Sequence, residues 1–318
     1  MENFELIEKA NEVYLKNFGA ETWFEKCVFL SWYCGVGDCK FCFRSTQMNK
    51  SPDKARRSLS SVLAEIYLCK KLGWKLEFLT GGYEIYPFNE LVEIIKKVVG
   101  VYGEKIWLNL GALSMNQLEM VRPYVKGVCG SIETVNRELH KRICPSKPTE
   151  PYIRMFADAK GFKKSIALVI GLGEKIEDVS ELFRFIENNN IDRIDFYPLH
   201  PIIGTIYKKG PSSEYYASWI AHTRIKFPKI KIVAGTWTNR VAEVSLLLKA
   251  GANAITKFPS IRLFGSEQAK IIEEEAKVAG REFKGTLTNI NYLKDIEVED
   301  SVKEKLQQYI EVMRRSKN

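Results

Sequence analysis

The stretch Cys27-Val-Phe-Leu-Ser-Trp-Tyr-Cys34-Gly-Val-Gly-Asp-Cys39-Lys-Phe-Cys42-Phe43 is the most informative part of this chain. It begins with an apolar run at residues 27–32, whose aliphatic and aromatic side chains are typical of a buried strand. Three cysteines follow, separated by four residues and then by two. The stretch therefore predicts a loop, rich in thiols and glycine, that comes directly after a strand.

The spacing of Cys34, Cys39 and Cys42 suits a cubane iron–sulfur cluster, in which each thiolate binds a different iron. A 4Fe-4S cluster that only carries electrons normally takes four cysteines, and no fourth cysteine follows nearby. One iron is then open to a ligand that is not protein, which indicates chemistry at the cluster. A zinc site, the main alternative, would need a fourth ligand from a second cysteine pair or a histidine pair, and none is placed for it. Disulfides are disfavoured, because seven cysteines are odd in number and no secretory signal is recognisable.

The composition is that of a globular chain from a reducing cytoplasm. Its 318 residues suit one α/β barrel, for which about 250 residues are typical. No apolar run reaches the length of about 18 residues that a membrane span needs. The net charge of +9 is compatible with nucleic-acid binding. The lysines are scattered among glutamates, however, and no arginine-rich stripe with interleaved aromatics occurs, so nucleic-acid binding is not expected.

Short apolar runs alternate with amphipathic stretches along the chain, which predicts repeated βα units and a parallel sheet. The expected strands are residues 27–32, 75–80, 105–110, 127–132, 165–170, 193–197, 231–234 and 254–257. The expected helices are residues 58–72, 88–99, 114–121, 150–160, 177–188, 213–227, 239–250 and 266–279. Eight units predict a closed (β/α)8 barrel of the TIM type, with the cysteine loop after the first strand. We expect this barrel to span residues 23–284, with a helical extension at 1–22 and another extension at 285–318.

In such a barrel the chemistry lies where strands end and loops begin. Besides the cysteine loop, four segments fall on this rim: Gly81-Gly82-Tyr83-Glu84, Ser131-Ile132-Glu133-Thr134, Gly171-Leu172-Gly173-Glu174 and Tyr197-Pro198-Leu199-His200-Pro201. Glycines at a strand end let a ligand approach the backbone, although they also occur in plain turns. Glu133 is suited to accept hydrogen bonds from ribose hydroxyls, and Arg154 to hold a carboxylate. Each of these two could instead be an ordinary surface charge.

Over nearly its whole length the chain resembles the biotin synthase-like branch of the radical S-adenosylmethionine (SAM) enzymes. That branch includes biotin synthase, the hydrogenase maturases and methylornithine synthase. The resemblance rests on the cysteine loop, with Phe41 just before the last cysteine, and on residues 80–83, 108–114, 132–134, 169–174, 204–205 and 250–253. The first gap between the cysteines is one residue longer than is usual in the family.

The resemblance implies that Cys34, Cys39 and Cys42 bind a 4Fe-4S cluster whose open iron chelates SAM. The residues implied to bind SAM are Gly81, Gly82, Tyr83, Ser131, Glu133, Arg154, Ile170 and Leu172. Among them, the two glycines would meet the methionyl amino group, Glu133 the ribose, Arg154 the carboxylate, and Ile170 with Leu172 the adenine. An electron from a donor such as ferredoxin or flavodoxin would split SAM, and the resulting 5′-deoxyadenosyl radical would take hydrogen from a small molecule deeper in the barrel. The protein itself would supply binding, orientation and exclusion of water.

The chain departs from biotin synthase inside the barrel, where that enzyme holds a second, sulfur-donating cluster. The corresponding positions here are Phe78, Trp107, Ser165 and Thr236, none of which is a good cluster ligand. Biotin formation is therefore not expected. Phe78 and Trp107 are expected to fill that space beside a cavity for a flat or partly apolar substrate. Tyr197, His200 and Thr236 are expected to orient it.

Four cysteines lie outside the loop. Cys27 is too far from Cys34 along a strand to share its cluster, and Cys69 on a helix is expected in the core. Cys129 has the strand parity of Ser131 and Glu133, so its thiol is expected inside the barrel. Cys144 lies in a rim loop and is a candidate for contact with substrate.

The function expected from these observations is a radical SAM enzyme with one cluster, acting on a small molecule in cofactor biosynthesis. The cysteine spacing and the missing second cluster are most similar to the maturase of the iron-guanylylpyridinol cofactor. One alternative is a component of the two-protein archaeal-type lipoyl synthase, which would need Cys27, Cys129 or Cys144 for another cluster. An RNA-modifying radical enzyme and a non-catalytic zinc-binding protein are further alternatives.

Overall fold

The computed structural model describes residues 3–47, 51–293 and 298–315. The strands in this part are β1 Glu21–Phe29, β2 Lys75–Thr80, β3 Ile106–Asn109, β4 Val125–Glu133, β5 Lys163–Ile170, β6 Arg193–Pro198, β7 Lys231–Gly235, β8 Ala254–Thr256 and β9 Glu282–Lys284. The helices are α1 Asn3–Phe18, α2 Pro52–Ala55, α3 Leu59–Leu72, α4 Phe88–Tyr102, α5 Met115–Val121, α6 Arg137–Ile143, α7 Glu150–Asp158, α8 Val179–Asn189, α9 Ser213–Lys226, α10 Val244–Lys249, α11 Glu267–Val278 and α12 Asp300–Arg315. Short 3₁₀ turns occupy Phe43–Gln47, Ile176–Asp178, Thr238–Glu243 and Ile290–Leu293.

The first eight strands form a closed parallel barrel. Each strand from β2 to β8 pairs with the next, and β1 lies between β8 and β2, which closes the ring. The short strand β9 adds to the first residues of β1, beginning opposite Glu21. The predicted (β/α)8 fold is confirmed, and β1 begins within the segment that was expected to precede the barrel.

Local signals in the sequence explain where the helices begin and end. The side chain of Ser58 accepts a hydrogen bond from the backbone of Ser61 at the start of α3, and Gly73 ends that helix in a left-handed conformation. Ser114 and Gln117 form a capping box at the start of α5. At α9 the cap is Ser212, so the helix begins at residue 213 as expected from the sequence. The helix expected at 239–250 is divided into a 3₁₀ turn and α10.

Two apolar clusters follow from the alternation of side chains along the strands. On β5, Ile166, Leu168 and Ile170 belong to the cluster between the sheet and the helices. Ala167 and Val169 belong to a second cluster inside the barrel, which also contains Phe78 and Trp107. In the described residues, we find no helix that is both long and apolar enough to cross a membrane.

Candidate active site at the mouth of the barrel

A cavity of about 720 Å³ opens where the barrel strands end. Many residues that the sequence nominated for the site line this one cavity. They are Cys34, Cys39, Cys42, Gly81, Gly82, Tyr83, Ser131, Glu133, Tyr197 and His200. The barrel thus brings together residues from three of the four rim segments and from the cysteine loop.

Backbone hydrogen bonds hold the cysteine loop against neighbouring segments. Gly35 N donates to Tyr83 O at 3.0 Å, and Lys40 N donates to Ile143 O at 2.9 Å. The loop is therefore tied both to the end of β2 and to the end of α6. Within the loop, Cys42 N donates to Cys39 O at 2.9 Å, which forms a tight turn around the last two thiols.

The three cysteines of the loop lie together at the wall of the cavity. All three are half-buried and face the cavity, and the backbone of Tyr83 donates to Cys34 Sγ at 3.4 Å. A hydrogen bond from the Cys144 thiol lowers the pKa of Cys39, whereas burial raises the pKa of Cys42. Across the ranges that the structure covers, no three His, Cys, Asp or Glu side chains are gathered around one point as a single metal ion would need. Thiolates of a cubane cluster bind separate irons, so spaced thiols around a cavity fit such a cluster.

The end of β2 approaches the cysteine loop so closely that only glycine fits there. A Cβ atom added to Gly82 would lie 2.0 Å from Tyr33 O and 2.5 Å from Cys34 Cα. Both neighbours are backbone atoms, which cannot rotate away as a side chain can. Gly82 is therefore required for the contact between β2 and the loop.

A buried ion pair lies on the β4 side of the cavity. The ammonium of Lys147 contacts Glu133 Oε1, and both side chains line the cavity. Glu133 has a φ of 60°, in the left-handed region that a residue other than glycine seldom adopts. Burial acts to lower the pKa of Lys147, but the Glu133 carboxylate outweighs it and raises that pKa well above its usual value. Sequence reasoning did not select Lys147, because a lone lysine in a loop resembles any surface lysine.

Neutral polar groups complete this side of the cavity. Tyr83 donates through its hydroxyl to the hydroxyl of Tyr152 at 2.7 Å, and Ser131 Oγ donates to Asn109 Oδ1 at 2.9 Å. These four residues also line the cavity. A ligand with hydroxyl and amino groups could therefore find both donors and acceptors here.

Three residues expected to bind SAM do not line the cavity. Arg154 is exposed on α7, because Tyr152, Met155 and Phe156 occupy the face that packs on the barrel. Ile170 has the outward parity of β5 and is buried against the helices. Leu172 is buried with the inner cluster but stays behind the cavity wall.

Four of the residues expected at the substrate site, Phe78, Trp107, Cys144 and Thr236, are also absent from the cavity wall. Cys144 is only 1% exposed and lies behind the loop, with its thiol against Cys39. Thr236 is fully buried, and its hydroxyl donates to Arg240 O at 3.1 Å. His200 does line the cavity, where its ring lies 4.8 Å from that of Trp237.

The inside of the barrel is filled by aromatic and charged side chains, as expected for Phe78 and Trp107. Their rings meet edge to face with centroids 6.5 Å apart. The guanidinium of Arg193 lies 4.8 Å from the Phe78 ring and 5.2 Å from the Trp107 ring. Arg193 also pairs with Asp195 and with Glu25, so its buried charge is compensated. Cys129 belongs to this inner cluster, which confirms the parity argument for it.

A second buried network joins the inner cluster to the cavity. Glu77 accepts hydrogen bonds from Cys27 Sγ at 2.8 Å, from Tyr197 Oη at 2.6 Å and from the hydroxyl of Thr256. Glu77 and Phe78 are neighbours on β2 and both face inwards, because β2 has a β-bulge at this point. Lys26 lies opposite Leu76 and the next residue, Cys27, lies opposite Phe78, so Glu77 is the extra residue. Sequence reasoning missed this network, although Glu77 is a charged residue within a mostly apolar strand and could have indicated it.

Comparison with known proteins agrees with this geometry. Residues 33–186 match the family model of the radical SAM superfamily. An uncharacterised protein of Methanocaldococcus jannaschii is 41% identical over 299 residues, which cover 91% of this chain and 83% of that protein. The biotin synthase of Francisella tularensis subsp. holarctica is 25% identical over 273 residues, covering 79% of this chain and 85% of the synthase.

The fold itself is also found among solved structures. The crystal structure of methylornithine synthase superimposes with a TM-score of 0.71 at 21% identity, covering 98% of this chain and 88% of that enzyme. Family membership implies SAM and a 4Fe-4S cluster as cofactors. The chain belongs to the radical SAM superfamily and is a radical SAM enzyme that is similar in sequence to biotin synthase.

Proposed function

We propose that this enzyme binds one 4Fe-4S cluster on Cys34, Cys39 and Cys42 and abstracts hydrogen from a small molecule held in the barrel cavity. The observation that carries the proposal is that the three thiols and the Glu133–Lys147 pair line the same cavity. With the cluster and SAM bound, their chemistry supplies the hydrogen-abstracting radical. The protein then has to bind, orient and shield the reactants.

The β4 side of the cavity is the proposed SAM site. Gly81 and Gly82 line the cavity at the end of β2, where their backbone is the proposed contact for the amino group of SAM, and Glu133 offers a carboxylate to its ribose hydroxyls. Lys147 replaces Arg154 as the proposed partner of the SAM carboxylate, because it lies in the cavity and Arg154 does not. Tyr83 and Ser131 supply neutral hydrogen-bonding groups nearby.

One cluster is proposed rather than two. Phe78 and Trp107 occupy the inner barrel, and Arg193 is already paired with carboxylates there. Cys144 lies beside Cys39, whereas Cys27 donates to Glu77. These positions support a single-cluster enzyme over the lipoyl synthase alternative. Together with the longer first gap between the cysteines, they favour maturation of the iron-guanylylpyridinol cofactor as the specific role, with ferredoxin or flavodoxin as the electron donor.

The proposed SAM chemistry is tested with protein reconstituted anaerobically with iron and sulfide and then reduced. We expect slow formation of 5′-deoxyadenosine and methionine from SAM without substrate, and none in Cys39→Ala. Intact SAM after prolonged incubation of fully loaded, reduced protein would contradict the proposal.

The specific role needs a substrate test. A deuterated pyridinol precursor of the iron-guanylylpyridinol cofactor should accelerate SAM cleavage and transfer deuterium into 5′-deoxyadenosine. If cleavage is unchanged and no deuterium is transferred, the maturation role is rejected, while the SAM chemistry stands on its own test.

A further inference from the structure

Lys257 has an unusual backbone conformation at the end of β8. Thr256 points inwards to Glu77, so simple alternation would turn the next side chain away from the barrel. Instead, Lys257 has a φ of 70°, and its side chain lines the cavity. Strained residues of this kind persist where the surrounding structure holds them, often at functional sites.

The neighbouring strand leaves room for this lysine. A Cβ atom added to Gly235 on β7 would lie 2.9 Å from Tyr197 Cδ1 and 3.2 Å from Lys257 Cγ. The missing side chain at Gly235 therefore lets Lys257 lie across the Tyr197 ring, with Nζ 4.1 Å from the ring centroid. The lysine is held by shape and by a cation–π contact.

The ammonium of Lys257 has little else to bind. Its Nζ donates to Cys27 Sγ at 3.2 Å, and the part of the chain that the structure describes provides no carboxylate within ion-pair distance. The Glu77 carboxylate, the nearest buried acid in this network, is already occupied by three neutral donors. An ammonium has three N–H donors, so donors remain free towards the cavity.

Lys257 keeps its positive charge in this position. Burial acts to lower its pKa, but the Cys27 sulfur and the Glu77 carboxylate outweigh burial and raise the pKa above its usual value. A positively charged group on a cavity wall with no carboxylate in ion-pair contact is a ready partner for an anionic ligand.

The position of Lys257 separates it from the proposed SAM site. In the closed ring of eight strands, β8 lies opposite β4. Strand β4 carries Glu133, which forms an ion pair with Lys147. The cavity therefore has cationic groups on opposite walls, Lys147 beside β4 and Lys257 on β8, in addition to Lys26, Arg44 and Arg57 elsewhere in its lining. The aromatic rings beside Lys257 on this wall are those of Phe29 and Tyr197.

We infer that Lys257 binds an anionic group of the substrate, a carboxylate or a phosphate, while the apolar body of the substrate packs on the aromatic wall beside it. This inference rests on the proposed function, because it assigns the β4 side to SAM and the β8 side to the substrate.

The first test needs no variant. Binding of benzoate, phenyl phosphate and neutral benzamide to reconstituted, SAM-loaded protein is measured by equilibrium dialysis. We expect benzoate or phenyl phosphate to bind at least about tenfold more tightly than benzamide, since a charge-assisted hydrogen bond is worth that much or more. The tighter of the two anions identifies a carboxylate or a phosphate as the preferred group. Equal affinity for both anions and benzamide would overturn the inference.

The second test assigns the effect to Lys257. Lys257→Met should lose about tenfold or more in affinity for the preferred anion, while Lys257→Arg should keep most of it. Lys163→Met, which removes an exposed lysine at the start of β5, is the matched control for net charge and should bind like the wild type. Unchanged anion binding in Lys257→Met would overturn the inference.

SAM binding separates this inference from the proposed function. Lys257→Met should bind SAM as the wild type does and hold the same amount of iron. A loss of SAM affinity in Lys257→Met with normal iron content would place Lys257 in the SAM site and refute the substrate role. Failure of wild-type protein to cleave SAM would instead refute the proposed function.

Discussion

Gly82→Ala tests the contact between β2 and the cysteine loop. The added methyl would lie 2.0 Å from Tyr33 O and 2.5 Å from Cys34 Cα, whereas non-bonded carbon atoms normally sit about 3.5–4.0 Å apart. The backbone would have to separate, which would weaken the hydrogen bond of 3.0 Å from Gly35 N to Tyr83 O. We expect a loss of stability near the upper end of the overpacking range, about 3 kcal/mol, and little or no iron on the protein.

Two glycines provide controls for Gly82→Ala. A Cβ on Gly81 would meet only side-chain atoms, Ile85 Cδ1 at 2.6 Å and Leu110 Cδ2 at 3.4 Å, so Gly81→Ala should cost about 1 kcal/mol and keep its iron. Gly100 on α4 has no atom within 4 Å of the added Cβ, so Gly100→Ala should stabilise the helix by about 0.5–1 kcal/mol. The assays are urea unfolding and iron content after anaerobic reconstitution. A Gly82→Ala protein with wild-type stability and wild-type iron content would refute this reasoning.

Three further predictions follow from the site and its surroundings. Lys147→Met should weaken SAM binding in equilibrium dialysis by about tenfold or more, whereas Arg154→Ala, which changes an exposed residue, should leave SAM binding unchanged. The reverse result would restore Arg154 as the partner of the SAM carboxylate. Trp107→Ala should cost about 3–5 kcal/mol in urea unfolding without adding iron, and a gain of iron would mean that the ring blocks a second cluster. Burial and the nearby Lys147 lower the pKa of His140 to about 4, against the opposing effect of Glu150. This folded-state pKa lies below the usual value of about 6.5, so protonation of His140 favours the unfolded chain. As the pH falls from 6.5 to 4, the free energy of unfolding of the wild type should therefore decrease by up to about 3 kcal/mol relative to that of His140→Gln. Parallel curves of stability against pH for the two proteins would contradict this.

The barrel and the cysteine loop could be predicted from sequence because their signals are local. The strand at 75–80 agrees with β2 residue for residue, since an apolar run between a helix-ending glycine and a pair of glycines leaves little freedom. The rim position of the loop then follows from the fold alone. Phe78 and Trp107 could be placed inside the barrel for the same reason.

The residues whose side chains lie elsewhere than expected from sequence differ in side-chain direction. Arg154 lies in the expected helix, but the phase of that helix turns it to solvent. Ile170 lies on the expected strand with the outward parity. Lys257 was missed because alternation points it outwards, and only its left-handed backbone conformation turns it into the cavity. Such a conformation is set by tertiary packing and has no signature in the amino-acid pattern.

The measurement that tests the central claim most directly is the iron and sulfide content of protein reconstituted without oxygen. The account predicts about four irons and four sulfides per chain, lost in Cys39→Ala and kept in the double variant Cys129→Ala/Cys144→Ala. Zinc in place of iron, or about eight irons with half of them lost in the double variant, would contradict a single cluster on Cys34, Cys39 and Cys42.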